Sequence, residues 1–347
     1  WLLRYFVDFN FGYNGSENFA TGHQFGFFPA YSFAWNIAEE SIIKKNFKWI
    51  NMFKVRFSHG KVGNDNLGDN RFPFLYTITD KIPDPNDKNK TIDRPGYNWG
   101  QYGSTNSFVG LSFSSVASPY VTWEIATKND LGVDLSLFNE RFLATVDYFN
   151  ERRDGIYMER KYLPSMVGLG SNPSANVGAV KSKGFDGNFT YKQSIGNVNL
   201  TVRGNITYSK NEVLEKDEEN KVYKYQREEG YRVEQNKGLI ALGLFKDYDD
   251  IRNSPTQTYG TYQPGDIKYK DVNGDGIVDD GDKVAIGSTT KPNLVYGLGA
   301  SGSWKGLDLN IHFQGSGKST YFIYGKCVYA FSEGEWGVPF KGLLEDR

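Results

Sequence analysis

One cysteine, Cys327, and three scattered histidines, His23, His59 and His312, leave this chain without the means for several common chemistries. A lone cysteine excludes an intrachain disulfide framework and any cysteine-based zinc site. None of the histidines has a partner at metal-ligand spacing, so each reads as structural. No stretch approaches the ~18 consecutive apolar residues of a membrane-spanning helix. Neither sign of charge dominates: 40 basic and 41 acidic residues give a net charge of −1, so there is no electrostatic footprint for nucleic acid. No nucleophile elbow, phosphate-binding loop or dinucleotide fingerprint occurs. The carboxylate pairs Glu228-Glu229 and Asp249-Asp250 are neighbours in polar loops, whereas a glycosidase needs two carboxylates across a cleft. An enzyme is not expected. The chain opens at Trp1 on strand pattern with no signal peptide, which for an exported protein implies processing or a piece of something longer.

Aromatic residues, by contrast, are plentiful: 25 Phe, 23 Tyr and 7 Trp make 16% of the 347 residues, in a chain only 39% hydrophobic. By composition alone, an aromatic-cored sandwich and a membrane barrel with aromatic girdles account for this equally well. Strand length and the sorting of loops separate them. From Val198 to Ser209, Val198, Leu200, Val202, Ile206 and Tyr208 alternate with Asn199, Thr201, Arg203, Asn205 and Thr207. Side chains on a strand alternate faces, so this strand has one apolar and one polar face. It is long enough to cross a bilayer at a tilt, which takes ~9–11 residues. The pattern predicts nine long strands: 3–13, 24–37, 52–62, 127–138, 141–152, 180–192, 198–209, 295–304 and 307–314.

The connections sort by length. Asn139-Glu140, Ser194 to Asn197 and Lys305-Gly306 are hairpin-sized, and Ala38 to Asn51 is a longer member of the same set with room for a helical turn. Those at 14–22, 63–126, 154–179 and 210–294 are long and rich in Pro, Gly, Asn and charge. Short turns on one side and long loops on the other is the layout of an outer-membrane barrel with its long loops outside the cell. The fold class expected is all-β, a transmembrane antiparallel β-barrel. Nine strands place the two ends on opposite sides, whereas a closed single-chain bacterial barrel has an even number, so part of a barrel is expected.

One loop has ligand spacing. Asp271, Asn273, Asp275, Gly276, Ile277, Asp279 and Asp282 stand at positions 1, 3, 5, 6, 7, 9 and 12 of an EF-hand-like calcium loop. Calcium takes six to eight oxygens, and the glycine at position 6 permits the turn that gathers them. Asp282 replaces the usual glutamate, which points to weak affinity, near ~10⁻⁴–10⁻³ M. The alternative is a turn that holds itself by Asx hydrogen bonds. Tyr97, Trp99 and Tyr102, in an outward loop, can stack on sugar rings or pack within the loop.

Several motifs, in order, resemble the SusC/RagA class of TonB-dependent outer-membrane transporters of Bacteroidetes. Residues 27–35, reading FFPAYSFAW, with Glu39-Glu40 resemble the family's FPS-S-GW-I-EE hairpin, and Lys54 to Asn64 its K-R-S-G--GN strand. Trp123-Glu124, Asn129, Gly132, Asp134, Arg141, Asp147 and Tyr148 match its WE----N-G-D-----R-----DY signature. Asn176-Val177-Gly178 with Lys183-Gly184-Phe185 fits a further motif, in which Asp186 replaces glutamate; the stretch from Pro264 to Gly276 is the most specific match. The resemblance implies a middle-to-late segment of a 22-stranded barrel, without signal peptide, TonB box, plug domain or terminal strand. It implies a parent that imports oligosaccharides or peptides beneath a SusD-like surface lipoprotein, energised by TonB-ExbB-ExbD. The rivals are a passive porin and a soluble calcium-dependent glycan-binding β-protein.

Overall fold

The computed structural model describes residues 4–84, 90–94, 96, 98, 99, 106–161, 163, 166 and 172–324. Nine long strands form one antiparallel sheet in chain order: β1 (Tyr5–Gly15), β2 (Phe25–Asn36), β3 (Ile50–Asn64), β4 (Glu124–Leu137), β5 (Phe142–Glu159), β6 (Ser174–Ile195), β7 (Val198–Glu215), β8 (Leu294–Trp304) and β9 (Leu307–Gly317). No helix among the described residues is long and apolar enough to cross a membrane. The sheet is not closed; β1 and β9 are its edges.

All nine expected strands are present. Several run further at the long-loop end than their alternation does: β5 continues to Glu159, β6 begins at Ser174 and β7 ends at Glu215. Alternation marks only the part with one face in lipid; beyond it no lipid imposes a period of two, while backbone pairing continues. The connection after β2 holds a turn of 3-10 helix (Ile37–Glu39) and then α1 (Ser41–Asn46). At Lys305-Gly306 both residues take positive φ (46° and 88°), as a two-residue type I′ hairpin requires.

Register aligns the apolar faces into continuous rows. Val7, Phe33, Phe57, Leu131, Tyr148, Phe185 and Tyr208 are successive Cα partners from β1 to β7. This face is turned outward: Val7 is 78% exposed and Phe9 65%, whereas Asp147 on the opposite, polar face is only 9% exposed. A soluble sandwich would bury the first set and wet the second. The apolar band also slides across the register. The row through Phe9 reaches Lys210 on β7, yet the apolar run there, 198–208, is centred about seven residues away after six strand steps. About one residue of ~3.3 Å per ~4.8 Å strand spacing corresponds to strands tilted by roughly 35° to the band, the tilt of a barrel wall.

The chain divides into two compact units: residues 1–233 with 296–315, and residues 234–295 with 316–347. The first holds the sheet and a small core at its long-loop end, where Phe19, Phe28, Leu67, Val121 and Trp123 pack together. A Cβ at Gly26 or Gly63 would run into the Phe28 ring, so glycine is needed where this ring lies flat on the strands. The second unit is built of short strand pairs, including Gln235–Gly238 with Val284–Thr289 and Ala241–Leu244 with Ile267–Tyr269.

Candidate functional site

On the polar face of the sheet, Arg56 of β3 gathers three carboxylates from the two following strands. Its Nη2 lies 2.6 and 2.7 Å from the two oxygens of Asp147, Nε lies 3.2 Å from Asp134, and Nη1 lies 3.3 Å from Asp130. A planar guanidinium with five donors suits this fork, and a lysine would not reproduce it. Gly132 sits beneath the cluster; a Cβ there would collide with the Asp147 carboxylate and the Arg56 guanidinium. Further along the same face Arg203 donates to Asn310 at 3.2 Å. These groups give the wall a hydrated, charged lining.

At the long-loop end, side chains of the sequence motifs tie the loops to the wall. Trp123 Nε1 donates to the Gln24 carbonyl at 3.1 Å. Asn176 accepts from the Thr122 amide at 2.9 Å and donates to the carbonyls of Thr122 (2.9 Å) and Gly155 (2.7 Å), clamping the bulge where Gly155 takes φ +70°. Beside it a cleft of about 600 Å³ is lined mainly by polar groups, among them Asn70, Arg71, Thr77, Tyr157, Glu159 and Asn172. That volume lies within the range of small-molecule sites.

In the second unit, the acidic loop is a net of Asx turns. Asp271 accepts from the Gly274 and Gly276 amides (2.6 and 2.8 Å), Asn273 from Asp275 (2.9 Å), Asp275 from Ile277 (2.8 Å) and Asp279 from Gly281 (2.6 Å). Asp282 is fully buried and accepts from three amides, those of Val272, Asn273 and Asp279. Its carboxylate thus staples the two ends of the loop. Among the described residues, no group of three or more His, Cys, Asp or Glu side chains is arranged to hold a metal ion. Beside the loop, burial and a 2.8 Å hydrogen bond to Asp280 push the Tyr259 hydroxyl up, and Lys283 and Tyr259 hold Asp280 below the usual carboxylate range.

The other predicted site falls elsewhere. Trp99 has its backbone in a two-residue strand pair with Asn106–Ser107, in the first unit; Tyr97 and Tyr102 lie outside the described residues. The Arg56 cluster was not among the predicted sites. Its signal lay in the alternation, which put Arg56, Asp134 and Asp147 on polar faces, but pairing them requires the strand register.

The family described as TonB dependent receptor-like, beta-barrel matches residues 3–326. TonB-dependent receptor P26 of Formosa agariphila is 27% identical over 338 residues, covering 93% of this chain and 31% of that protein. TonB-dependent receptor SusC of Bacteroides thetaiotaomicron is 22% identical over 356 residues, covering 100% of this chain and 32% of that protein. The chain therefore spans about a third of the length of these relatives. Among solved structures, the RagAB peptide importer in its closed-closed state superposes with a TM-score of 0.65 at 18% identity, covering 91% of this chain and 32% of that one, a likeness of fold. With its outward apolar face, its sorted loops and this family match, the chain belongs to the TonB-dependent receptor β-barrel family and is an outer-membrane protein.

Proposed function

We propose that this chain is a stretch of the barrel wall of a SusC-type importer, taking up oligosaccharides or peptides through the outer membrane. A SusD-like lipoprotein would bind on the long-loop side, and TonB-ExbB-ExbD would supply the energy from the periplasm. The observation that carries this reading is the polar, charged face opposite the lipid-facing one, with a polar cleft at the long-loop end. Similarity to SusC and to the RagAB peptide importer supports it, and the two leave both substrate classes in play. A passive porin fits the match to a TonB-dependent family less well, and a soluble glycan-binding protein is at odds with the outward apolar face.

The test is a strain lacking the full-length gene, grown on glycan and peptide mixtures as sole nutrients. Loss of growth on one class, restored by the wild-type gene but not after ExbB is removed, supports energised import of that class. Undiminished growth on every mixture, or rescue that ignores ExbB, would contradict it. If the cleft binds substrate, Arg71→Ala and Tyr157→Ala should weaken uptake at limiting nutrient while leaving barrel assembly intact.

Calcium at Asp271, Asn273, Asp275, Ile277, Asp279 and Asp282 is a separate proposal. The spacing supports it, and the Asx net is the competing account of the same residues. Millimolar calcium binding to the calcium-free parent protein by calorimetry, lost in Asp275→Ala, would establish it; no heat would leave the loop a self-held turn.

A further inference from the structure

The short-turn side carries a corner with unusual surface chemistry. Three rings lie in a row: Phe47 against Trp49 edge-on (6.3 Å, 84°), and Trp49 stacked on Phe138 (5.4 Å, 17°). All three are exposed, Phe47 at 41% and Trp49 at 45%, and Ile42 of α1 is 73% exposed. Such a group is costly in bulk water and favoured where one side is apolar and the other wet.

Hydrogen bonding fixes where α1 begins. Glu40, immediately before it, accepts from Tyr5 at 2.8 Å and Trp35 at 3.1 Å, two stacked rings on the lipid-facing side of β1 and β2. Arg4 meets both Glu40 and Ser41. The segment therefore starts at the lipid-side rim, on the periplasmic side of the barrel.

The charges at this corner are uneven. Glu39 is taken by Lys44 at 2.7 Å, and Glu40 lies 3.6 Å from Arg4. Lys45 and Lys48 are exposed and have no ion-pair partner among the described residues. The other short turns lean the same way, with Arg141 and Lys305 against Glu140. Unpaired cations beside exposed aromatics at a membrane interface are the chemistry of an anionic lipid surface.

We propose that this corner binds the anionic phospholipid headgroups of the inner leaflet, with Lys45 and Lys48 as headgroup ligands and Ile42, Phe47 and Trp49 seated at the acyl boundary. The site would enrich such lipids around the periplasmic rim of the barrel.

The test uses the full-length protein reconstituted in mixed phosphatidylcholine–phosphatidylglycerol nanodiscs. The readout is the phosphatidylglycerol fraction that stays with the protein on detergent extraction. Lys45→Glu/Lys48→Glu should cut that retention about thirty-fold, from the ~1 kcal/mol typical of anionic surfaces for each of the two cations lost. Lys221→Glu/Lys224→Glu, in a long loop, should leave it unchanged. Equal retention in all three proteins would overturn the proposal, as would an equal fall in both variants, which would report bulk charge. Should the reversal block assembly, seen as loss of heat-modifiable migration, Lys45→Gln/Lys48→Gln must show the same loss of enrichment for the proposal to hold. Retention unchanged in that variant would assign the corner to a periplasmic protein or to no ligand, and would also overturn it.

Discussion

Arg56 illustrates how single residues hold this wall together. Its partners lie 74 to 91 positions away in sequence, and only the β3–β4–β5 register brings them within reach. Removing it leaves the nearly buried Asp147 without its counter-charge, so Arg56→Ala should cost about 2–3 kcal/mol, less than a fully buried pair because the guanidinium is partly wet. Arg56→Lys should restore only part of that, since an ammonium cannot fork between three carboxylates. Denaturant unfolding of the full-length barrel in detergent measures both. On the lipid face the rule reverses: Val202→Arg should lose roughly 2–4 kcal/mol near the midplane, while Asn205→Arg on the polar face should be tolerated. Equal sensitivity of the two positions would remove the assignment of faces.

At the scale of elements, the middles of the strands were legible in the sequence and their outer ends were not. Lipid on one side forces alternation from Val198 to Tyr208, but no lipid face forces it from Lys210 to Glu215, where backbone pairing continues and Val213 is buried against protein. The two- and three-residue strands of the second unit gave no periodic signal, because a period of two cannot show in so few positions. The acidic loop was legible as a turn, yet the burial of Asp282 depends on which amides surround it. Its pH behaviour follows from its neighbours. Asp280, held below the usual carboxylate range by Lys283 and Tyr259, contributes order that is present above its unfolded value of ~3.9 and lost as pH falls through its lowered one. Tyr259, raised by burial and by Asp280, contributes order present below ~10 and lost only as pH rises above its raised value. Protease nicking within 271–283 of the full-length protein should therefore be slow at neutral and mildly alkaline pH and should rise on acidification. A rise between pH 7 and 9 would contradict these pairings.

For the whole molecule, the decisive features are those that only a membrane makes sensible. Large apolar side chains face outward in register-aligned rows, the band drifts by about one residue per strand, and the polar face holds its charges in networks. The fold was legible because the bilayer writes a period of two into the strands and the short turns write their glycine and asparagine signals between them, and the family was legible in the ordered motifs from Phe27 to Gly276. The cleft and the Arg56 cluster were not, because they exist only once distant strands and loops are assembled. The central claim is that this sheet is a barrel wall crossing the outer membrane with its short turns in the periplasm. Single cysteines at Gly196, Gly306 and Asn220, placed one at a time in the full-length protein with Cys327 replaced, test it on intact cells with a membrane-impermeant maleimide. The account predicts labelling at Asn220 and protection at Gly196 and Gly306 until the outer membrane is permeabilised. Labelling of Gly196 and Gly306 on intact cells, with Asn220 protected, would contradict it.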